Sequence, residues 1–166
     1  SADNAAAGDT TCSLRAGTHI RQSVVPKSGN SLSGEDGCLL DGENAVNYAF
    51  DSNNQHQDHV SIAHLEIKNY LTPSSAFGAI TGNDVTNWSV TDCVVHDCVQ
   101  CGIRVGAGTG WIVVRNTSYN HGRAGLEGYQ CHGAIIQSNH VYDNNPGQNS
   151  SGHESGIKIE IGRAHV

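Results

Sequence analysis

The chain has 166 residues, one domain's worth of length. With 37% hydrophobic residues, 15% charged residues, no Met and 20 Gly, it excludes long helices and favours short strands joined by Gly, Asn, Asp and Ser turns. A net charge of −7 with only 9 Lys and Arg excludes a nucleic-acid partner, which calls for a concentrated basic face. No apolar run approaches the roughly 18 residues of a membrane span and no charged-then-apolar leader opens the chain, so no membrane span is expected.

In chain order, residues 1–58 show no regular period and are read as irregular first coils of one domain, 1–166, whose regular coils occupy 59–166. From His59 onward four segments can be laid over one another. Val60, Ile62, Leu65 and Ile67 align with Trp88, Val90, Cys93 and Val95, then with Trp111, Val113, Asn116 and Ser118, then with Ala134, Ile136, Asn139 and Val141. Ile62 to Val90 is 28 residues, and Val90 to Val113 and Val113 to Ile136 are 23 each. Each segment carries a further short strand led by Gly: Gly78-Ala-Ile-Thr, Gly102-Ile-Arg-Val, Gly125-Leu-Glu-Gly and Gly156-Ile-Lys-Ile. A period near 23 with no helical pattern is too short for a propeller blade and fits one coil of a parallel solenoid. The expected fold class is all-β, a parallel β-helix of about five to six coils, uncapped or truncated at its C-terminal end. Asn116 and Asn139 share an inward position at a bend, where an amide can bond the backbone and its own copy one coil away.

This pattern resembles the right-handed parallel β-helix superfamily of pectate-lyase-like proteins over about two thirds of the chain. The early segment Ala7-Gly-Asp-Thr-Thr-Cys-Ser-Leu-Arg-Ala-Gly-Thr-His-Ile-Arg, followed by Cys38-Leu-Leu-Asp-Gly, is similar to the first coils of that superfamily. The resemblance implies a substrate groove along the Gly-led strands. Alternation then puts Ile103, Val105, Leu126, Ile157 and Ile159 inward, and Ile80, Arg104, Glu127 and Lys158 outward, with Glu160 two residues on. The feeding loops add His121 and Arg123, then His153 and Glu154.

The function expected is an exported, carbohydrate-active protein that binds or cleaves an acidic polysaccharide by β-elimination. In that reaction a cation offsets the uronate carboxylate, a base removes the C5 proton and an acid protonates the leaving oxygen. Transferred by position from lyases of the superfamily, Lys158 takes the place of the base, and the matching Arg falls one coil later, past Val166. Glu127, one rung from Lys158, favours the ammonium form, the wrong direction for a base, so His153 or His121 is the better candidate. A plain ion-pair ladder of Arg104, Glu127 and Lys158 is the structural alternative, at about 0 to 1 kcal/mol per exposed pair. Glu127 and Glu160 as a glycosidase pair rank below elimination, since the paired-Asp strands of pectin hydrolases are absent.

Tyr119 and Tyr142, with Trp88 and Trp111, are candidates for stacking on sugar rings, although both Trp fall at strand starts where an inward role is expected. His96 shares the position of the two Tyr and is read as a surface residue. Cys93, Cys98 and Cys101 with His96 match zinc by residue type alone, but Cys93 falls on a core rung; Cys98 and Cys101 can pair with each other or with Cys131, and Cys12 with Cys38. Calcium is compatible with Asp97, Asp143, Glu154 and Glu160, without a spacing motif. Of the glycosylation acceptor patterns at Asn87, Asn116 and Asn149, only Asn149 is expected to be accessible. The competing class is a structural module that associates end to end, stacking head to tail into a fibre or surface layer.

Overall fold

The computed structural model of the protein describes residues 8–73, 77–145 and 156–160. Among these residues there are strands and turns and no helix, in six coils. The first coil holds β1 (Thr11–Leu14) and β2 (Gly17–Ile20), and the second β3 (Ser31–Gly34), β4 (Cys38–Asp41) and β5 (Phe50–Asp51). The third holds β6 (Ser61–Ala63), β7 (Glu66–Lys68), β8 (Gly78–Gly82) and β9 (Val85–Thr86). The fourth holds β10 (Ser89–Thr91), β11 (Val94–His96), β12 (Cys101–Val105) and β13 (Gly108–Thr109). The fifth holds β14 (Ile112–Val114), β15 (Thr117–Tyr119), β16 (Leu126–Tyr129) and β17 (Cys131–His132), and the sixth β18 (Ile135–Gln137), β19 (His140–Tyr142) and β20 (Ile157–Glu160).

Each strand pairs in parallel with its copy on the neighbouring coil, which builds four sheets. Sheet A runs β1-β3-β6-β10-β14-β18, sheet B β2-β4-β7-β11-β15-β19, sheet C β5-β8-β12-β16-β20 and sheet D β9-β13-β17. The first coils enter sheets A and B in register with the later ones, Cys12 opposite Leu32 and Leu32 opposite Ile62. Inward side chains stack into columns: Leu32, Ile62, Val90 and Val113 under sheet A, Leu40, Ile67 and Val95 under sheet B, and Phe50, Ile80, Ile103 and Leu126 under sheet C, all fully or almost fully buried. Each contributes about 1.5–3 kcal/mol of hydrophobic stabilisation, and no coil can bury its own interior without the next.

One strand differs from the sequence expectation. Gly78 sits opposite Cys101, not Gly102, so Ile80 faces Ile103 inward and Thr81 is the outward neighbour of Arg104. A slip of one residue exchanges the two faces of a strand. The spacing explains it: sheet A advances 28 residues from Ile62 to Val90 while sheet C advances 23 from Ile80 to Ile103, so the extra residues lie in the connection from β7 to β8.

Two devices turn the chain between sheets. The first is a set of left-handed residues stacked in rows: His64, Asp92, Arg115 and Ser138 after sheet A, and Asn69, Asp97, Asn120 and Asp143 after sheet B. Such a conformation costs an L-residue about 1–2 kcal/mol, least for Asn and Asp. Ser138, exposed at φ 56°, lacks that tolerance, so Ser138→Gly is expected to raise stability by roughly 0.5–1 kcal/mol in denaturant unfolding.

The second device is a pair of buried polar ladders. Between sheets A and B, Asn116 Oδ1 accepts from Cys93 N at 3.0 Å and Asn139 Oδ1 from Asn116 N at 2.9 Å. The amides also donate to Val90 O and Val113 O at 2.9 and 2.8 Å. Between sheets B and C the same logic recurs: His121 Nδ1 accepts from Cys98 N at 3.2 Å, and Asn144 Oδ1 from His121 N at 3.1 Å. The cysteine that opens each ladder turns its thiol onto the carbonyl two residues earlier, Thr91 O and His96 O, both at 3.3 Å. All six cysteines are free thiols, so none of the disulfides considered from sequence forms. Burial pushes Cys93 and Cys98 up to about 12, which keeps them protonated.

Candidate functional site

The outward row of sheet C reads Asp51, Thr81, Arg104, Glu127 and Lys158. In β8 and β12 every residue is buried, so this face is covered as well as the interior one. Arg104 is 7% exposed and Glu127 5%, and charges that deep must be paired.

Glu127 is the centre of the pairing. Arg123, four residues earlier in the turn before β16, closes on it as a fork, Nη1 to Oε2 at 2.8 Å and Nη2 to Oε1 at 2.9 Å. Arg104 Nε stands 3.5 Å from Oε2, an ion-pair distance without hydrogen-bond geometry, and Lys158 Nζ stands 3.8 Å from Oε1. The Cys101 thiol donates to Oε2 at 3.5 Å; burial, and then the Glu127 charge, push it up to about 11.

Arg104 is held from three sides. Its Nη1 donates to Asn83 Oδ1 at 2.9 Å, its guanidinium lies 5.7 Å from the Tyr129 ring centroid, and its Nε faces Glu127. Asn83 is in turn fixed by Ser52 Oγ, which accepts from its backbone N at 3.0 Å, and by Asn54 Oδ1. Thr81 Oγ1, one rung below Arg104, is buried without a hydrogen-bond partner, as is Arg104 Nε itself. Two rungs below Arg104, burial pushes the Asp51 carboxyl up, opposed by the Asn53 N–H it accepts.

The structure therefore brings together Arg104, Arg123, Glu127 and Lys158. It separates the others. His121 points inward: Ser118 Oγ spends its hydrogen on Gly125 O at 2.8 Å, so His121 Nε2 carries the proton toward Ser118 Oγ while Nδ1 accepts from Cys98 N. It is a neutral corner residue with no access to the sheet C face. Tyr119 and Tyr142 stand on the outer face of sheet B, where His96, Tyr119 and Tyr142 stack at 4.8 and 5.0 Å with nearly parallel rings. Those ring faces contact each other, and both Trp are fully buried, so neither Trp offers a platform to a sugar. His153 and Glu154 lie outside the described residues, as does the side chain of Glu160.

His96 departs from its surface reading. It is 7% exposed, with Nδ1 2.7 Å from Asp97 Oδ2 and Nε2 3.1 Å from Glu66 Oε1. Among the described residues no group of three or more His, Cys, Asp or Glu is arranged to hold a metal ion. Of the calcium ligands considered, Asp97 and Asp143 belong to the left-handed row after sheet B.

Thr81, Asn83 and Tyr129 join the site without having been singled out from sequence, and Cys101, considered there only for zinc or a disulfide, joins it as well. Counting 23 residues back from Arg104 finds Thr81, and the same count from Glu127 returns Arg104.

Residues 31–166, the second to sixth coils, match a family model described as the right handed beta helix region. No curated protein and no solved structure matches the chain. The solenoid is consistent with the pectate-lyase-like superfamily, and a fold of this kind supports a carbohydrate-active or a structural role. Parallel coils paired strand for strand, and a match over most of the length, make one statement plain: the chain belongs to the right-handed β-helix family.

Proposed function

We propose that this is a carbohydrate-active β-helix protein that binds an acidic polysaccharide through the outward row of sheet C. One observation carries the reading: on a chain of net charge −7, Arg104, Arg123 and Lys158 converge on a single carboxylate, Glu127. Among the described residues this is a local excess of cations, and on an acidic protein such an excess focuses polyanions at that place. Lys158, Arg123 and Tyr129 are more exposed than Arg104 and Glu127 and mark the side from which a ligand approaches. Secretion or display at the cell surface belongs to the same proposal, since extracellular polysaccharides lie there.

The reading commits to binding ahead of cleavage. Elimination needs a base for the C5 proton, and on the described face Glu127 is gripped by Arg123 while His121 is turned inward. Replacing Arg104 and Lys158 together with Ala is expected to weaken polygalacturonate binding at least about tenfold in titration calorimetry, two cation contacts being removed. Unchanged affinity in that variant overturns the reading, and retained turnover in it removes elimination. A head-to-tail structural module, the competing class, predicts no binding by either protein.

A further inference from the structure

The contact that Glu127 makes with Arg123, two parallel N–H donors on two carboxylate oxygens, is the contact a uronate carboxylate would seek in the same place. We infer that the Arg104, Arg123 and Lys158 cluster is a carboxylate-binding subsite that the chain fills with its own Glu127, and that an acidic ligand enters by displacing it. The inference rests on the proposed polysaccharide binding for its biological ligand, but the subsite itself is argued from the cluster alone.

Three features support a displaceable internal ligand. Glu127 takes its fork from Arg123, yet Arg104 Nε, buried and 3.5 Å away, makes no hydrogen bond to it, and Thr81 Oγ1 beside Arg104 is likewise unpartnered. Donor capacity is thus built in beyond what Glu127 uses. Arg104 is positioned without Glu127, by Asn83 and the Tyr129 ring, so its guanidinium keeps its place when the carboxylate leaves. Finally, Arg104 sits where water is scarce, at 9% side-chain exposure, so removing the internal carboxylate leaves its charge for an external anion to neutralise.

The test is chemical rescue. Glu127→Ala deletes the internal ligand and leaves the room it occupied. Acetate at saturating concentration is expected to raise the Tm of Glu127→Ala by about 3 °C or more, and that of the wild type by less than about 1 °C, against chloride of equal ionic strength. If Glu127→Ala does not fold, the isosteric Glu127→Gln decides by the same readout: with the competing charge gone, acetate is expected to raise its Tm by at least about 2 °C more than that of the wild type. Acetate that stabilises the folded variant no more than wild type overturns the inference. Rescue by acetate in a protein that ignores polygalacturonate supports the subsite and rejects the polysaccharide reading, so the two failures are told apart.

Discussion

Replacing Asn116 with Leu is expected to lower the unfolding free energy by about 3–5 kcal/mol. The side chain is fully buried and acts in three directions, accepting from Cys93 N and donating to Val90 O and to Asn139 Oδ1. Leu keeps the branching of the side chain but is larger; it leaves the buried Cys93 N–H without its acceptor, at about 1–3 kcal/mol, and also removes the donors to Val90 O and Asn139 Oδ1. Asn139→Leu makes the same chemical change one coil later, where the side chain is only partly buried, and is expected to cost about 1–2 kcal/mol. Denaturant unfolding of both variants checks the ladder, and equal losses would contradict the dependence on burial.

The second large effect is a pH dependence seated at His121. Burial, the main cause, depresses its imidazole from 6.5 to about 4. As the pH falls below about 6.5 the unfolded chain takes up a proton there and the folded chain does not until about 4, so the unfolded state gains. Stability from this group is complete above about pH 6.5 and drains away toward pH 4, by about 3 kcal/mol in all and about 2 kcal/mol by pH 5. The carboxyls of Asp41 and Asp97 are held below their usual range by hydrogen bonds that outweigh burial, from Asn69 first for Asp41 and from His96 first for Asp97. Their losses fall at lower pH. His121→Asn keeps an acceptor for Cys98 N, as Asn144 does for His121 N one coil on, while removing the titrating ring. Unfolding measured at pH 7 and pH 5 should therefore show the slope in the wild type and little of it in His121→Asn. The same slope in both would place the proton uptake elsewhere.

His121 also shows where sequence reasoning succeeds and where it stops. The alternation of apolar residues predicted the coils, their register on sheets A and B, and the Asn116–Asn139 ladder, because a side chain buried in a parallel stack must match its copy at a fixed interval. The second ladder obeys the same interval, Cys98 to His121 to Asn144, but three different residue types share its task, so similarity of residues could not reveal it. Ile80 failed for another reason: a Gly was matched to a Gly, whereas the backbone register put Gly78 against Cys101. The Arg104, Glu127 and Lys158 row followed from alternation alone. What alternation could not supply was depth: both faces of β8 and β12 are buried, and depth turns a surface ion-pair ladder into a buried network.

The most direct test of the central claim is a titration of the wild-type protein with polygalacturonate and with its fully methyl-esterified form across a range of salt. Binding through Arg104, Arg123 and Lys158 predicts affinity for the acidic form alone, weakening steadily as ionic strength rises. Equal affinity for the two forms, or affinity for the acidic form that ignores salt, would contradict it.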